Sequence, residues 1–265
     1  MTGPTEAFAL GKAAADAGYR LEAHDEVVST NDLALGRARD GSLSRLWVVA
    51  HRQTGGRGRH GRVWASPSGN LYASLVLIDP CENARAPELG FVAGLALFEA
   101  ASALTGLHHP RLSLKWPNDL LIDGAKCAGI LLEGHRLANG AFALIIGIGV
   151  NVTQAPQEAM SLHAFAPDAT PARLLPLLSD EFARVFADWA QAPSSSDAHF
   201  MAWGQRAHGI GSQVRVKLPK GDVVGLFHGL DRGRLILDTS EGRKTLDAGD
   251  LYVLDAGVAS RRALA

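Results

Sequence analysis

The chain has few of the features that mark secreted, membrane or metal-binding proteins. Its 265 residues include only two cysteines, Cys81 and Cys127, which lie far apart and lack metal-ligand spacing; this fits a reducing cytoplasm better than a disulfide framework. No apolar run reaches the roughly 20 residues that a membrane-spanning helix needs, and residues 1–18 carry no export signal. The net charge of -1 gives no general attraction to nucleic acid. We therefore expect a cytoplasmic protein whose partners include neither membrane nor nucleic acid.

A glycine-rich cationic segment is the most informative feature that the chain does have. It follows a short apolar strand, Trp47 to Ala50, and consists of four glycines with three arginines among them: Gly55, Gly56, Gly58, Gly61, Arg57, Arg59 and Arg62. Glycines let a backbone approach a ligand closely. Because few acidic residues lie near this segment in the sequence, we expect its guanidinium groups to repel one another until an anion binds between them. The segment predicts phosphate or carboxylate binding, and the alternative is a solvated hairpin tip.

Two common phosphate-binding motifs do not explain this segment. Gly56, Gly58 and Gly61 spell G-x-G-x-x-G, but the dinucleotide fingerprint requires a helix to follow. Residues 62–70 instead look like loop, and the next predicted element is a strand of mixed burial at residues 71–78. A P-loop would need Gly-Lys followed by Ser or Thr, which is absent. The segment therefore binds its anion, if any, in another way.

A second group of charged residues is predicted at a strand end and in a hairpin. The strand at residues 112–116 carries Lys115 near its end, and Asp119 follows it. Apolar runs on both sides of Asp123-Gly124 predict a tight hairpin. This fold-back would carry Lys126 towards Lys115 and Asp119, so that two ammonium groups and one carboxylate share a cleft. The simpler alternative for Lys126 is an ordinary surface lysine.

Two more segments combine polar groups with unusual backbone. The run Ser29-Thr30-Asn31 opens a predicted helix, where its side chains could be ordinary N-caps or could grip a small polar ring together with the free N–H groups. The apolar strand at residues 142–152 is interrupted by Gly147 and Gly149, which predicts that a ligand or a close neighbour packs against it. Asn151 is a polar group at the end of that strand.

The rest of the sequence predicts several helices, followed by a region of short strands. Helices are expected at residues 5–17, 88–105 and 199–207, and another begins at Thr170-Pro171 or, because proline disturbs the first turns, at Pro176. From Gly211 the chain turns to five short strands separated by turn residues, at 213–218, 223–230, 234–238, 243–246 and 251–254. A module of this size should pack on the preceding domain.

Three blocks, in this order, closely resemble the biotin protein ligases. They are residues 53–62, residues 115–120 with the sequence Lys-Trp-Pro-Asn-Asp-Leu, and residues 126–131 with the sequence Lys-Cys-Ala-Gly-Ile-Leu. With Ser29-Thr30-Asn31 and the C-terminal strands, the resemblance covers roughly residues 20–255. It implies an α+β fold: a catalytic domain at residues 1–210, with a mostly antiparallel mixed sheet flanked by helices, and a small SH3-like β-barrel at residues 211–265.

The resemblance also implies roles for individual residues. The residues expected to contact biotin are Ser29, Thr30, Asn31, Gln53, Arg57, Gly58, Arg59, Lys126 and Gly129. Those expected to contact ATP or the adenylate are Arg62, Trp64, Lys115, Asn118, Asp119 and Asn151. The catalytic step is assigned to Lys115, Lys126, Arg59 and Asp119, and Asp119 is also the candidate metal ligand.

The implied reaction is biotinylation of another protein. Biotin and ATP with Mg²⁺ would form biotinyl-5'-AMP, and a lysine of a biotin carboxyl carrier protein or domain, such as that of acetyl-CoA carboxylase, would then take the biotinyl group. The N-terminal residues are too few for the helix-turn-helix domain of some biotin ligases, which argues against a repressor role. Which carrier is modified, and whether the protein is a monomer or a dimer, stay open.

Two other functions are alternatives to biotin ligation. The first is a lipoate ligase or octanoyl transferase, but those enzymes carry an Arg-Arg-x-Ser-Gly-Gly-Gly type of segment where this chain has residues 57–62. The second is a non-catalytic biotin-sensing module, and the retained Lys115, Asp119 and Lys126 argue against it.

Overall fold

Two β-sheets and five α-helices make up the part of the chain that the structure, a computed structural model, describes: residues 6–41 and 44–254. The outer limits predicted for the two domains, residues 1 and 265, lie outside the described residues, as does residue 5, the first of the helix predicted at 5–17.

The larger sheet contains the first seven strands of the chain. They are β1 (Arg20–Val27), β2 (Leu46–Gln53), β3 (Leu71–Ile78), β4 (Leu112–Lys115), β5 (Asp119–Ile122), β6 (Ala125–Arg136) and β7 (Phe142–Val150). Their order across the sheet is β1-β2-β3-β7-β6-β5-β4. The β1 and β2 strands run parallel, and each of the other neighbouring pairs runs antiparallel. The predicted mostly antiparallel mixed sheet is therefore confirmed.

Helices cover both faces of this sheet. The helices are α1 (Lys12–Asp16), α2 (Thr30–Arg39), α3 (Glu88–Thr105), α4 (Pro171–Gln191) and α5 (Ala198–Gly204). Strand β2 shows how the two faces arise, because its side chains alternate: Trp47 and Val49 belong to the main core with α3 and α4, whereas Val48 belongs to a smaller core with α2. Strand β3 is buried along nearly its whole length, so the predicted mixed burial is wrong.

Helix α3 has the bounds that the sequence predicted and serves as the main core helix. Among the described helices it is long and apolar enough to cross a membrane, but 67% of it is buried inside the fold. It ends at Gly106, which adopts the left-handed conformation with φ 71° and so provides the usual helix C-terminus.

Helix α4 begins at Pro171, and the alternative start at Pro176 is wrong. Thr170 caps the helix by accepting a hydrogen bond from the Arg173 N–H at 3.2 Å, and proline is well tolerated at the first helical position. The cap and the large apolar face of α4 together keep Pro176 inside the helix despite its missing N–H.

Helix α1 is shorter than the prediction for residues 5–17, and α5 ends before the predicted residue 207. The α1 helix starts only at Lys12 because Gly11 is extended and donates its N–H to the Ser179 hydroxyl at 2.9 Å. This contact ties the N-terminal segment to α4.

The last five strands form a separate antiparallel sheet. They are β8 (Gln213–Lys217), β9 (Val223–Asp231), β10 (Arg234–Thr239), β11 (Gly242–Leu246) and β12 (Asp250–Val253), in the order β11-β10-β9-β8-β12. This sheet packs on the first part of the chain: the Trp116 indole N–H donates to the Gly233 carbonyl at 2.9 Å. A side chain at Gly233 would lie 2.8 Å from Phe91 on α3. The predicted small all-β module, packed on the catalytic region, is confirmed.

Candidate active site

The floor of the main cavity consists of three glycines on the central strands of the large sheet. Gly129 on β6 pairs with Gly149 on β7, and Gly147 lies two residues before Gly149 on the same face. A Cβ at Gly147 would be 2.3 Å from the Asn31 amide oxygen, and one at Gly149 would be 2.6 Å from the Trp64 indole nitrogen. The prediction that close neighbours pack against this strand is therefore confirmed, and they are the side chains of Asn31 and Trp64.

A buried hydrogen-bond network forms one wall, at the start of α2. The backbone N–H and hydroxyl of Thr30 both donate to the Gln53 amide oxygen, at 2.8 and 3.0 Å. The Ser74 hydroxyl lies 2.6 Å from the Asn31 amide oxygen, and Asn31 donates to Glu133 at 2.7 Å. Since Thr30 and Asn31 are only 4% and 7% exposed, these groups are held in place before any ligand arrives.

Ser29 fills the first of the two roles that the sequence left open, that of the N-cap. It accepts a hydrogen bond from the Asp32 N–H at 3.4 Å at the start of α2, and it also lines the cavity. Its contact with a ligand stays a prediction.

The arginines of the glycine-rich segment form a second, charged wall of the cavity, and each has a partner. Arg57 makes two 2.6 Å hydrogen bonds to the carboxylate of Asp32 on α2. Arg59 donates to the Asn118 side-chain oxygen at 3.0 Å and lies 3.6 Å from Asp250, which also contacts Arg62. The expected repulsion among unpartnered guanidinium groups is therefore wrong, because two distant parts of the chain supply carboxylates to the segment.

These ion pairs lower the pKa values of the carboxyl groups that take part in them. The hydrogen bonds from Arg57 lower the pKa of Asp32. Burial acts to raise the pKa of Asp250, but the hydrogen bond and charge of Arg62, with the charge of Arg59, outweigh it, and the pKa of Asp250 is lowered. Both carboxylates are therefore ionised at neutral pH and neutralise the segment.

A lysine and an aspartate close the cavity beside the glycine floor. The predicted hairpin is present, with Asp123 and Gly124 at φ 49° and 81° as a primed turn requires. It brings the Lys126 ammonium to 2.7 Å from Asp119, and the same ammonium lies 5.4 Å from the centre of the Trp64 ring. The prediction that Lys126 returns to Asp119 is confirmed.

Lys115 lies next to this pair but does not line the main cavity. It is paired in register with Asp119 across β4 and β5, and its ammonium lies 4.9 Å from the centre of the Tyr252 ring. Burial lowers the pKa of Lys115, the charge of Asp119 opposes this shift, and the charge of Lys126 adds to it.

The cavity enclosed by these groups has a volume of about 340 Å³. Apart from Lys115, it is lined by every residue that the sequence assigned to biotin, nucleotide or catalysis: Ser29, Thr30, Asn31, Gln53, Arg57, Gly58, Arg59, Arg62, Trp64, Asn118, Asp119, Lys126, Gly129 and Asn151. The roles of these residues remain predictions.

Several lining residues were missed by the sequence reading, most importantly Asp250. It lies in β12 of the second sheet, nearly two hundred positions after the arginines that it pairs with. The uncompensated charge of the arginine segment was a signal that an anion was needed. This signal did not indicate that the protein itself supplies the anion, as the carboxylate of Asp250.

Comparison with known families supports the division into two parts. Residues 26–151 match the Biotin/lipoate A/B protein ligase family, and residues 209–254 match the Biotin protein ligase C terminal domain. The chain is 37% identical over 242 residues to a biotin--[acetyl-CoA-carboxylase] ligase of Paracoccus denitrificans, covering 84% of this chain and 96% of that protein. It is 35% identical over 256 residues to the ligase of the same name from Mycobacterium tuberculosis, covering 91% of each.

A solved structure shares the whole architecture. The biotin protein ligase of Aquifex aeolicus in complex with biotin and ATP matches with a TM-score of 0.74 and 29% identity, covering 89% of this chain and 99% of that one. The sequence and structure comparisons thus agree over most of the chain, including both sheets. The chain belongs to the biotin protein ligase family.

Proposed function

We propose that this protein attaches biotin to a lysine of a biotin carboxyl carrier protein or domain, that of acetyl-CoA carboxylase, by way of biotinyl-5'-AMP. The observation that carries the proposal is the cavity itself, in which a prebuilt polar wall, a glycine floor and a cationic wall meet beside Lys126 and Asp119. Similar chains bear the name of this activity, and a similar structure holds biotin with ATP.

The polar wall suits the ureido ring of biotin. Such a ring presents one carbonyl acceptor and two N–H donors, and the wall offers the hydroxyls of Ser29 and Thr30 and the amides of Asn31 and Gln53. These groups are already oriented by one another, so little ordering is required when the ring binds. The glycines of β7 leave room for the Asn31 amide and the Trp64 indole, which line the cavity where the bicyclic ring would bind.

The cationic wall suits the reacting carboxylate and phosphate. A carboxylate oxygen of biotin attacks the α-phosphorus of ATP, a new O–P bond forms, and the bond from that phosphorus to the bridging oxygen breaks to release pyrophosphate. Both reactants are anions, so the attack requires neutralisation, for which Arg57, Arg59 and Lys126 are positioned. Asn118 and Asn151, which also line the cavity, suit the adenosine part.

The second half-reaction needs no further charge from the protein. The carrier lysine, as the free amine, attacks the acyl carbon of the adenylate, an amide bond forms, AMP leaves with its oxygen, and the amine loses a proton. Asp119, held 2.7 Å from Lys126, orients the ammonium that stabilises the leaving AMP. No covalent bond between enzyme and biotin is required.

Magnesium is compatible with the residues present. Within the described ranges no group of three or more His, Cys, Asp or Glu side chains could hold a metal ion, which excludes a dedicated protein cage there. Mg²⁺ that accompanies ATP usually takes one or two carboxylates and fills the rest of its shell with phosphates and water. Asp119 and Asp250 line the cavity and would hold it, and the ion would supply neutralisation of the triphosphate.

We also place the boundary between the catalytic domain and the SH3-like domain at residues 210 and 211, and the protein in the cytoplasm. The two free cysteines, Cys81 and Cys127, suit a reducing compartment. The change from α4 and α5 to the second sheet supports the boundary.

The experiment that tests the proposal is adenylation without any carrier. Biotin with magnesium and ATP should yield one equivalent of pyrophosphate and an adenylate that stays with the protein through gel filtration. Octanoate and lipoate, supplied in place of biotin, should yield none. Activity on lipoate with none on biotin would contradict the proposal and place the protein with the lipoate enzymes.

A further inference from the structure

Glu133 is a charged residue beside the cavity that has no part in the chemistry proposed so far. It lies on β6, four positions after Gly129, and side chains alternate along a strand, so Gly129, Leu131 and Glu133 share one face of the sheet. Gly129 and Leu131 line the cavity, whereas Glu133 is not one of the lining residues. Its side chain is 31% exposed, so its charge is partly solvated.

The two oxygens of this carboxylate meet different walls of the cavity. Oε2 accepts a hydrogen bond from Asn31 Nδ2 at 2.7 Å, in the polar wall at the start of α2. Oε1 lies 3.9 Å from Nη2 of Arg57 in the charged wall. Arg57 is already held by Asp32 through two hydrogen bonds of 2.6 Å. The short and specific contact of Glu133 is therefore the one with Asn31.

The Asn31 side chain is held at both of its polar atoms. Its oxygen lies 2.6 Å from the Ser74 hydroxyl, and its nitrogen donates to Glu133. A hydroxyl can donate or accept, so Ser74 alone would pair with either atom of the amide. A carboxylate only accepts, so Glu133 pairs with the nitrogen alone. Glu133 therefore determines which way the amide is turned.

The held amide keeps one group of each kind for a ligand. A carboxamide has two lone pairs on its oxygen and two N–H groups, and Ser74 and Glu133 use one of each. Asn31 lines the cavity although it is only 7% exposed, so its remaining hydrogen-bonding capacity is available there. The ureido ring of biotin carries both a carbonyl acceptor and N–H donors. An amide turned the other way would present the wrong group to it.

We infer that Glu133 is a positioning residue for biotin: from outside the cavity, its carboxylate holds the Asn31 amide in the one orientation that recognises the ureido ring. The inference rests on the proposed function, because it concerns the recognition of biotin by the polar wall. Glu133 acts through Asn31 and touches no reacting atom, and Asp32 holds Arg57 without its help. Its loss should therefore weaken biotin binding and spare the use of ATP.

The test is a double-mutant cycle in the full-length protein, with biotin binding measured by titration calorimetry. Glu133→Ala should raise the biotin dissociation constant by about 5- to 20-fold, the effect of losing one strong hydrogen bond. Asn31→Ala should raise it at least as much. Adding Glu133→Ala to Asn31→Ala should raise it by less than about 2-fold more, because no amide is left to position. Losses that multiply in the double variant would overturn the inference.

Glu133→Gln separates the hydrogen bond from the charge. The glutamine removes the charge near Arg57 but can still pair with Asn31, in either orientation of the amide. At worst half of the molecules are then competent, so the biotin dissociation constant should rise by no more than about 2-fold. A loss in Glu133→Gln as large as that in Glu133→Ala would assign the effect to charge and overturn the inference.

The kinetics of adenylate formation separate positioning from a general structural role. At saturating biotin, Glu133→Ala should keep the KM for magnesium-ATP and the maximal rate within about 2-fold of the wild type. A damaged fold would lower the maximal rate, and such a loss would also overturn the inference.

The matched control is Glu26→Ala. Glu26 lies on β1 of the same sheet and also accepts a 2.7 Å hydrogen bond, from Arg52. Its replacement should leave biotin affinity unchanged, and equal losses in Glu26→Ala and Glu133→Ala would contradict the inference. Failure of the wild type to make any adenylate would instead overturn the proposed function. The calorimetric cycle does not depend on adenylate, so the two failures are distinguishable.

Discussion

The two walls of the cavity are built in different ways. The wall at the start of α2 consists of buried neutral groups that bond to one another, as Thr30 does to Gln53 and Ser74 to Asn31. The wall of arginines consists of charged ion pairs of graded exposure: the Arg62 side chain is 64% exposed, whereas those of Arg59 and Asp250 are 21% and 20% exposed. Buried neutral networks are costly to rearrange, whereas exposed ion pairs contribute little and exchange partners readily.

This difference indicates how the site divides its work. The neutral wall recognises a ligand whose shape is fixed. The arginines of the charged wall must exchange one anion for another, because the carboxylate, the triphosphate and the adenylate are present at different stages of the reaction. Asp32 and Asp250 occupy the arginines in the free protein in the way that substrate oxygens would occupy them later. Substrate binding is then an exchange of anions, with little net cost in Coulomb energy.

The largest expected effect is on Lys126, whose ammonium lies beside the glycine floor of the cavity and is held 2.7 Å from Asp119. Lys126→Met should reduce the rate of adenylate formation by about 100- to 1,000-fold, since it removes a charge aimed at the reacting phosphate. Biotin affinity should fall much less, because the neutral wall is untouched. Pyrophosphate release and biotin titration calorimetry measure the two quantities.

The matched control for Lys126 is Lys12→Met. Lys12 also forms an ion pair, with Asp16, but its side chain is 86% exposed on α1. Its replacement should leave both quantities unchanged, and equal losses in the two variants would contradict a catalytic role for Lys126.

The next effect tests the fixed wall. Gly147→Ala would place a methyl group 2.3 Å from the Asn31 amide oxygen, on a wall that has no room to adjust. We expect biotin affinity to fall by roughly 10- to 100-fold, the equivalent of about 1–3 kcal/mol of overpacking. Calorimetric titration with biotin measures it directly.

Gly90→Ala is the control for that substitution. Gly90 lies on α3, where an added Cβ would meet Leu132 at an ordinary 3.5 Å. Its biotin affinity should equal that of the wild type. If Gly147→Ala bound biotin as tightly as the wild type, the neutral wall would be able to rearrange. The contrast between a fixed neutral wall and an exchangeable charged wall would then be wrong.

A smaller effect is expected on the charged wall. Asp250→Asn removes the partner of Arg59 and Arg62 in the free protein, and the phosphates of ATP can take its place. We expect a loss of about 0.5–1 kcal/mol in the free energy of unfolding of the free protein, the range for exposed ion pairs. The loss should shrink when biotin and ATP are bound.

The pH dependence of that loss follows from the lowered pKa of Asp250. A carboxyl group whose folded pKa is below its unfolded pKa stabilises the fold at pH values above the unfolded pKa, about 4. The contribution disappears as pH falls through the folded pKa. The difference in urea unfolding between the wild type and Asp250→Asn should therefore be largest at pH 7 and should shrink progressively as the pH is lowered below about 4. A difference that grows on acidification would contradict the assignment.

Most of the fold and much of the cavity were predictable because local signals determine them. The hairpin at Asp123-Gly124 and the bounds of α3 follow from turn chemistry and helical periodicity, and glycines in an apolar strand indicated the floor of the cavity. The start of α4 shows where a local rule was overridden, since a strong cap and an apolar face outweigh one internal proline.

The partners of the charged wall were not predictable in the same way. The ion pairs of Arg59 and Arg62 with Asp250 join the glycine-rich segment to the second sheet, and no local pattern encodes which carboxylate will reach a given guanidinium. The sequence indicated that the arginines need an anion. Only the tertiary structure identifies the carboxylate that supplies it.

Limited proteolysis with trypsin tests the exchange of anions most directly, because Arg57, Arg59 and Arg62 are themselves the cleavage sites. Cleavage after these arginines should be measurable in the free protein, slower with biotin alone, and much slower with biotin and ATP, which together supply both carboxylate and phosphate. Mass spectrometry of the fragments assigns each cut. Equal cleavage rates in all three states, in protein shown by calorimetry to have bound its ligands, would contradict the account.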